Sequence, residues 1–570
     1  MLETNWHIKK IDLSQVAEII KEFNLPSPIA TIMSQRGLVN RDHTSDFFYP
    51  SKDKLYSPFL LIDMEVAVEK IIEIINRKNK ILIYGDYDVD GVTSTSMLYS
   101  FFKSLEVNVS YYIPHRDIDG YGLSKRGIDF ADKIGAKLII TCDCGINAFN
   151  QIEYAKDKMI NVIVTDHHKP EDKIPNCIAV INPNRKDCNY PFKGLCGAGV
   201  AFKLTLAITE ALSLDSKIAW KHADLVTLGI AADIMPLINE NRIIAHFGLE
   251  KIRSGDNIGL KSLIDTSKLL IEKIGIGQIN FWVSPKINAA GRLGEASRAV
   301  KLLTSDNPYY ALEIANDLNK ENEKRKSITE IMQNESIAMV ENDNSFKSKK
   351  SIVLYKEGWH SGIIGIVASR LKELYNKPTI IIGLENGTGK GSCRSIPQLD
   401  MVDTLNSCSD LLDGHGGHPM AAGLTIKESK LDEFIERFNL NCSSQLNNKD
   451  LVPNINIDLE ISMGDINMRM INFLKHMEPY GPKNPKPVFL SKKLSVDGIP
   501  KLLGKDQRTI KFNVKEKESI FESIGFNMID EYEKLISQRP IDMVYNISEN
   551  HWKGKTSLQL EVKGIKYSDV

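Results

Sequence analysis

The stretch Ile81-Leu82-Ile83-Tyr84-Gly85-Asp86-Tyr87-Asp88-Val89-Asp90-Gly91 constrains the fold more than any other part of the chain. The apolar, β-branched run Lys80–Tyr84 predicts a buried parallel strand. It stops at a glycine, and three aspartates then stand at every second position before another glycine. From Thr93 to Leu105, residues Met97, Leu98, Phe101, Phe102 and Leu105 recur at helical spacing. The aspartates are therefore expected in the loop leaving the carboxyl end of a strand, where open α/β sheets build their sites. Like charges this close repel one another unless a cation neutralises them. The stretch predicts a divalent-metal site.

The surrounding pattern alternates. It predicts a strand over Val107–Ile113, a loop from Pro114 to Leu123, a helix over Ser124–Ile134 and a strand over Lys137–Thr141. A helix through 148–158 then leads to strands at Asn161–Thr165 and Ile178–Ile181. Such alternation implies a parallel sheet with right-handed crossovers, an α/β class. Three of the strands run into aspartate, as Tyr84-Gly85-Asp86, Cys142-Asp143 and Thr165-Asp166. All carboxyl ends of a parallel sheet lie along one edge, so these acids should converge. His167 and His168 follow Asp166 directly and read as ligands or acid/base groups. Asp233 closes the small-residue segment Leu228-Gly229-Ile230-Ala231-Ala232 and could join them. Cys142 and Cys144 would allow a zinc site, but the surplus of carboxylates favours Mg²⁺ or Mn²⁺. Carboxylates with one or two histidines suit a pair of such ions about 3.5–4 Å apart, acting on phosphorus.

Before this region, a lead-in carries one amphipathic helix, Leu13 to Phe23, and a second helix from Met64 to Arg77 delivers the first strand. After it, 198–253 reads as helical. From Tyr309 to Asn342 there is no Pro or Gly, which predicts a rigid connecting helix about 50 Å long. A second α/β unit follows, with strands at Ser351–Tyr355 and Thr379–Ile382. Two glycine-rich loops are expected at 389–395 and 414–418, and a polar linker at 441–450. Arg394, Ser395 and the glycines there, Gly417 among them, offer a guanidinium fork, a hydroxyl and backbone amides to a phosphate. Residues 451–570 read as β-rich with a helix near 530–537. Between Lys483 and Lys517, ten Lys/Arg stand against three Asp/Glu. A small β-barrel with a basic face suits single-stranded nucleic acid.

A chain of 570 residues implies three or four domains of about 150 residues each. The reading divides it into a lead-in (1–60), a catalytic domain (61–255), a connector (256–345), a second α/β domain (346–445) and the C-terminal β domain (451–570). The formal net charge of −1 hides the local basic excess. Eight irregularly spaced cysteines suggest reduced thiols rather than a disulfide framework. No signal peptide or transmembrane run is visible, so a soluble cytoplasmic protein with no membrane association is expected.

Taken in order, Gly85-Asp86-Tyr87-Asp88-Val89-Asp90-Gly91, Asp143, Asp166-His167-His168 and Gly229-Ile230-Ala231-Ala232-Asp233 resemble the four motifs of the DHH phosphoesterase superfamily. Ile287-Asn288-Ala289-Ala290-Gly291-Arg292 resembles the motif that precedes the long connector. Gly391-Ser392-Cys393-Arg394-Ser395 and Gly416-Gly417-His418-Pro419-Met420-Ala421-Ala422-Gly423 resemble the DHH-associated domain. Pro479-Tyr480-Gly481-Pro482, with Asn484-Pro485 and Pro487-Val488-Phe489, is similar to the start of the oligonucleotide-binding (OB-fold) domain of the RecJ family. Lys483 and Lys286 depart from that pattern, where glycine and arginine are usual.

The resemblance implies 5′→3′ hydrolysis of single-stranded DNA to mononucleotides, supported by two Mn²⁺ or Mg²⁺ ions, in recombination and repair. Asp88, Asp90, Asp143, His167 and Asp233 would hold the metals, with Asp86, Asp166 and His168 completing or supporting the shell. Arg116, Arg292, Arg394, Ser395, Gly417 and His418 would hold the 5′ end and backbone phosphates. A slot between the two α/β domains would admit one strand, and the OB-fold barrel would grip it. A monomer is expected, with a single-strand-binding protein and a recombination helicase as partners. The rival readings are a small phosphodiesterase of the same superfamily, acting on oligoribonucleotides or cyclic dinucleotides, and a non-catalytic strand-binding scaffold.

Overall fold

The computed structural model describes residues 4–116, 118–504, 507–552 and 555–569. The chain divides into two compact units. One comprises 45–325 with 479–485; the other comprises the described residues up to Thr44, with 326–478 and 486 onward.

The first unit is built on a five-stranded sheet. Its strands are Lys80–Tyr84, Val109–Tyr112, Ala136–Cys142, Asn161–Thr165 and Ala179–Ile181, and every neighbouring pair is parallel. In sheet order the second strand lies at one edge, followed by the first, third, fourth and fifth. The central strands are apolar on both faces because helices cover both. Ile81, Ile83, Leu138 and Ile140 face one core, with Val68 and Ile71 from the helix Met64–Asn76 and Phe101 and Phe102 from the helix Val89–Ser104. Leu82, Tyr84, Ile139 and Val162 face the other, against Ile128 and Ile152. Helices Gly197–Ala211, Ala223–Ala232 and Asn239–Ser254 thicken the first side.

An ion pair locks that side. Lys203 Nζ lies 2.8 Å from Glu240 Oε1, and neither side chain has any exposed surface. Glu240 also accepts hydrogen bonds from Tyr190 Oη (2.6 Å) and the Tyr56 N–H (3.0 Å), and Lys203 donates to the Tyr56 carbonyl. Removing one partner of such a pair leaves an uncompensated buried charge. Lys203→Met is expected to destabilise this unit by roughly 3–5 kcal/mol, measurable as a lowered denaturant midpoint; a shift of only a few tenths would contradict this.

Lys286 and Lys483 occupy distinctive positions in the same unit. Lys286 is buried, and its ammonium donates to Ser267 Oγ (2.6 Å), Thr266 Oγ1 and the Leu263 carbonyl. Lys483 has a φ of 62°. That left-handed backbone accounts for glycine as the usual residue at such a position. The segment around it is anchored by the Leu237 N–H, which donates to the Pro482 carbonyl at 2.8 Å.

The helix Pro308–Asn342 runs 35 residues, as its Pro- and Gly-free sequence predicts. Ala311, Ile314, Ala315 and Leu318 near its start pack into the first unit's core, while Met332 and Val340 pack into a core of the second.

The second unit holds a mixed five-stranded sheet and a barrel. In the sheet, Ile352–Glu357 pairs in parallel with Thr379–Glu385, and Thr388–Arg394, Ala421–Lys427 and Gly414–His418 add antiparallel strands. The two glycine-rich segments predicted as loops are therefore strands, because ladder hydrogen bonds need only backbone. The helix Leu431–Gln445 also runs into the segment predicted as a linker, burying Phe434, Phe438 and Cys442 at four-residue spacing. In the C-terminal region Phe489–Leu503, Thr509–Glu516, Ser519–Gly525, Lys555–Tyr567 and Ile541–Trp552 pair in succession, and the last pairs back to the first. This five-stranded closure removes the open edges, as an OB-fold requires. The expected helix near 530–537 is present as Tyr532–Ile536, and a further helix, Met468–His476, was not foreseen. Asn5–Ile8 pairs in parallel with Asn454–Ile457, which ties the start of the lead-in to this unit. Among the described residues, no helix is long and apolar enough to cross a membrane.

Candidate metal centre

The turn after the Lys80–Tyr84 strand is tight. A Cβ on Gly85 would stand 1.9 Å from Thr95 Oγ1, and one on Gly91 would stand 2.6 Å from the Asp86 nitrogen. The helix that follows starts at Val89, about one turn earlier than its apolar spacing predicts. Asp88 is its N-cap and accepts from the Gly91 N–H at 3.0 Å, so the side chain itself nucleates that extra turn. Asp90 lies in the first turn rather than in a loop. It accepts from the Gly197 and Ala198 N–H groups at 2.6 and 2.9 Å, at the start of a second helix. Both helix N-termini favour negative charge there. Of the three aspartates, Asp90 alone lies inside the helix, and Asp86 and the N-cap Asp88 stay in the turn before it.

Asp143 adopts a φ of 60° just past its strand, and its N–H donates to the Thr165 carbonyl. The carboxylate is packed against Gly197, where a Cβ would lie 2.4 Å from that of Asp143. His167 is the hub: its Nε2 is 3.1 Å from Asp143 Oδ1, 3.7 Å from Asp233 Oδ2 and 3.8 Å from Asp90 Oδ2. Asp233 caps the C-terminal end of the helix Ala223–Ala232. One turn earlier, a Cβ on Gly229 would stand 2.5 Å from Asp90 Oδ1.

Asp166 plays a different part. Its Oδ1 accepts from the His167 N–H (2.7 Å), the His168 N–H (3.0 Å) and His168 Nδ1 (2.8 Å), and its Oδ2 from the Ile146 N–H (3.0 Å). Burial acts to raise its pKa, but the hydrogen bonds and the charge of His168 outweigh it and hold the carboxyl below the usual range. Burial likewise acts to lower His168, yet the hydrogen bond and charge of Asp166 push the imidazole up to about 9. His167, by contrast, is held down by burial.

Asp86, Asp88, Asp143 and Asp233 are held up. Burial and the neighbouring Asp88 push Asp86 to about 8, and burial with Asp90 and Asp88 does the same for Asp233. Burial, then Asp90, raises Asp88 and, more strongly, Asp143. Asp86 Oδ1 and Asp143 Oδ1 are buried with no hydrogen-bond partner. Among the described residues, potential ligand atoms gather within 4.8 Å in three sets: Asp86, Asp88 and Asp143; Asp90, His167 and Asp233; Asp143, His167 and His168. Orphaned buried oxygens among mutually repelling carboxylates are what a divalent cation would satisfy. Oxygen donors with one or two imidazoles fit Mg²⁺ or Mn²⁺. The thiols of Cys142 and Cys144 are raised by burial and belong to none of the three sets, so thiolate ligation of zinc has no support.

Two arginines flank the loop between Asp86 and Asp88. The Arg116 guanidinium lies 5.6 Å from the Tyr87 ring centre, and the positive charge of Arg292 also reaches Tyr87. Gly291 lets the Arg292 helix approach, since a Cβ there would stand 2.5 Å from the Tyr87 carbonyl oxygen. Arg394, Ser395, Gly417 and His418 lie in the other unit. There Arg394 donates to Ser369 Oγ and Ser392 Oγ, both at 3.0 Å. Ser395 is buried and its hydroxyl donates to the Leu399 carbonyl, while His418 is exposed on the Gly414–His418 strand, with Gly417 at a φ of 147°.

Residues 80–230 match the DHH family, N-terminal domain; 348–444 match the DHHA1 domain and 457–564 the RecJ OB domain. The chain is 34% identical over 566 residues to the single-stranded-DNA-specific exonuclease RecJ of Bacillus subtilis, covering 99% of this chain and 71% of the relative. The chain belongs to the RecJ family. Its fold agrees. The crystal structure of Thermus thermophilus RecJ with Mn²⁺ superposes with a TM-score of 0.84 at 26% identity, covering 100% of this chain and 80% of that one. The Mg²⁺ complex of the same protein gives 0.79 at 25% identity, with 100% and 79% covered.

This RecJ-family chain holds three site residues that sequence reasoning passed over. Tyr121 places its hydroxyl 3.2 Å from His168 Nε2. Its signal was the pair Gly120 and Gly122, both at positive φ, which aim a single aromatic out of the loop. Asn182 and Asn184 donate to the His168 and His167 carbonyls at 2.8 and 2.5 Å. They follow the fifth strand at the same sheet edge, so the strand-end argument should have included them. Gly197 gives a prediction of its own. Gly197→Ala is expected to displace Asp143 and to weaken metal affinity by about 10–100-fold, read by metal titration of the folded variant; unchanged affinity would show that the contact is not needed.

Proposed function

We infer that this chain is a metal-dependent, single-strand-specific DNA exonuclease that works in DNA repair and recombination. It hydrolyses phosphodiester bonds from the 5′ end and releases 5′-mononucleotides. The observation that carries this reading is the gathering of Asp86, Asp88, Asp90, Asp143, Asp233 and His167 at one sheet edge of a RecJ-family chain, where Asp86 Oδ1 and Asp143 Oδ1 are buried and accept no hydrogen bond among the described residues.

Asp88, Asp90, Asp143, His167 and Asp233 would hold two ions, Mn²⁺ or Mg²⁺, with Asp86 completing the shell. Bound there, such a pair supplies Lewis-acid polarisation at phosphorus and neutralises the carboxylates. The protein's own groups do the rest. Asp166 orients both histidines and fixes His168 through Nδ1. His168, cationic at neutral pH, can hold a proton at Nε2 for a phosphate or leaving oxygen, beside the Tyr121 hydroxyl. Arg116 and Arg292 can take backbone phosphates as charge-assisted partners. We assign the 5′ phosphate to Arg394, Ser395, Gly417 and His418. The basic OB-fold barrel would follow the strand by stacking and charge.

The division of labour follows a lead-in (1–60), a catalytic domain (61–255), a connector (256–345), a second α/β domain (346–445) and a strand-binding domain (451–570). The same reading places the enzyme in the cytoplasm as a monomer, alongside a single-strand-binding protein and a recombination helicase.

The test is a long single strand labelled at either end, with its duplex as control, in Mn²⁺, Mg²⁺ or chelator. Metal-dependent release of mononucleotides from the 5′ end of the single strand alone is expected. A strand bound but uncut in every condition would overturn the enzymatic reading, and cleavage confined to very short oligomers would overturn the substrate.

A further inference from the structure

A cavity of about 630 Å³ opens in the first unit at the far ends of two helices that carry metal-centre residues. The helix Val89–Ser104 starts at Asp88 and Asp90 and ends in the cavity wall with Tyr99, Lys103 and Ser104. The helix Ala223–Ala232 starts in that wall, at His222 and Asp224, and ends at Asp233. The two helices pack against one another.

The wall has the chemistry of a ligand site. Lys103 and Lys221 are exposed and make no ion pair among the described residues. Lys103 instead lies 5.8 Å from the centre of the Tyr99 ring. At the N-terminus of the helix Ala223–Ala232 the N-cap residue makes no side-chain cap bond, and Asp224 accepts from the Leu225 N–H at 2.8 Å. That N-cap residue, His222, is nine-tenths buried, and its Nε2 has no hydrogen-bond partner. Burial holds that imidazole neutral, pulled down to about 4, so it offers one donor and one acceptor. Asp224, 4% exposed, also lines the wall, with Asp306 and the ion pair of Lys251 and Asp256 at 3.3 Å. A site for a bare anion would exclude such a carboxylate. Lysines and a helix N-terminus beside carboxylates, an imidazole and a phenol ring match a ligand with a phosphate at one end and N–H donors on an aromatic ring at the other. The volume is ordinary for a small-molecule site.

We propose that this cavity binds a nucleoside 5′-monophosphate, and that occupancy alters strand cleavage through the two helices shared with the metal centre. The choice of ligand rests on the exonuclease reading, because mononucleotides are its product; the binding itself can be measured without turnover.

The test is calorimetric titration of deoxyadenosine 5′-monophosphate into the full chain in chelator, alone and in an Asp143→Asn background. Inorganic phosphate and deoxyadenosine serve as comparison ligands. Saturable binding is expected, weakened at least about tenfold by Lys103→Glu with Lys221→Glu and tighter than for either comparison ligand. The double variant should keep the melting temperature and basal strand cleavage of the wild type. If it folds poorly, the milder Lys103→Gln with Lys221→Gln replaces it. Added mononucleotide should change the cleavage rate of the wild type and not of the variant. Undiminished affinity in the lysine variants would overturn the site, as would loss of binding on Asp233→Asn instead. Equal affinity for inorganic phosphate would overturn the ligand class, and binding with no change in rate would overturn the coupling. Failure of the exonuclease reading would look different: no protein would cleave, while binding could still be measured.

Discussion

Asp143→Asn is expected to reduce strand cleavage by well over 100-fold while the protein folds normally and is more stable without metal than the wild type. Disturbing a group behind a metal ligand typically costs 10–100-fold, and Asp143 contributes to two of the three sets of gathered ligand atoms. Asparagine tolerates the left-handed φ of 60° at this position, so the backbone is not penalised, whereas alanine would be strained there. Burial, then Asp90, Asp88, Asp166 and Asp86, hold this carboxyl protonated in the metal-free protein, so folding must take up a proton that asparagine does not need. Removing that requirement should raise the metal-free melting temperature, by about 2–4 °C for each kcal/mol recovered in a domain of this size. DNA affinity should change little, because the arginines and the basic barrel are untouched. The measurements are single-turnover cleavage, a melting curve in chelator and strand binding. A variant that keeps more than about a tenth of the activity, or that unfolds, would sink the assignment of Asp143 as a ligand.

The sequence made the metal centre legible because parallel topology alone brings strand ends together. Asp86, Asp143 and Asp166 end neighbouring strands and needed no further information. The start of the following helix was misplaced for a local reason. Apolar periodicity begins only where side chains reach the core, while Asp88 starts the helix by capping it. The partners of Asp90 could not be read at all, since the amides it accepts from lie 107 and 108 residues away. The same holds for Asn5–Ile8, whose partner strand begins at Asn454. The glycine-rich segments were misread as loops because strand propensity lives in side chains that glycine lacks. Their pairing with Ala421–Lys427, and of Thr388–Arg394 with Thr379–Glu385, reveals them as strands.

Asp166 shows why motif membership and chemical role differ. It stands in the motif beside the two histidines, as exposed to suspicion as any other acid. Four hydrogen bonds occupy its oxygens, so its pKa is held down while those of Asp86, Asp88, Asp143 and Asp233 are driven up. The centre thus contains two carboxylates, Asp166 and Asp90, whose oxygens the protein satisfies, and others that it does not.

Removing the metal should therefore make stability fall as pH rises. Asp86 and Asp233 have folded pKa values of about 8, against about 3.9 for an unfolded aspartate. The folded state binds more protons than the unfolded state between those values, so the metal-free protein loses stability as pH climbs from about 4 to about 8. His168, raised to about 9 from an unfolded value near 6.5, acts the same way: its contribution is present below 6.5 and lost through 9. His167 is shifted downward and opposes this trend only below about 6.5. Asp166, held low, gives stability that is lost at the acid end, as pH falls below the ordinary aspartate range. Cations reverse the alkaline loss, because they bind the deprotonated carboxylates and their affinity rises until those groups are ionised. Saturating Mn²⁺ or Mg²⁺ should add about 2.7 kcal/mol at 100 times the dissociation constant. Melting curves from pH 5 to 9 should show a metal-free melting temperature that declines and a metal-induced gain that widens to its maximum near pH 8–9. Asp86→Asn with Asp233→Asn should flatten the metal-free slope. A metal-free melting temperature that rises across this range, or a metal gain independent of pH, would mean that these carboxylates are not the groups the cations neutralise.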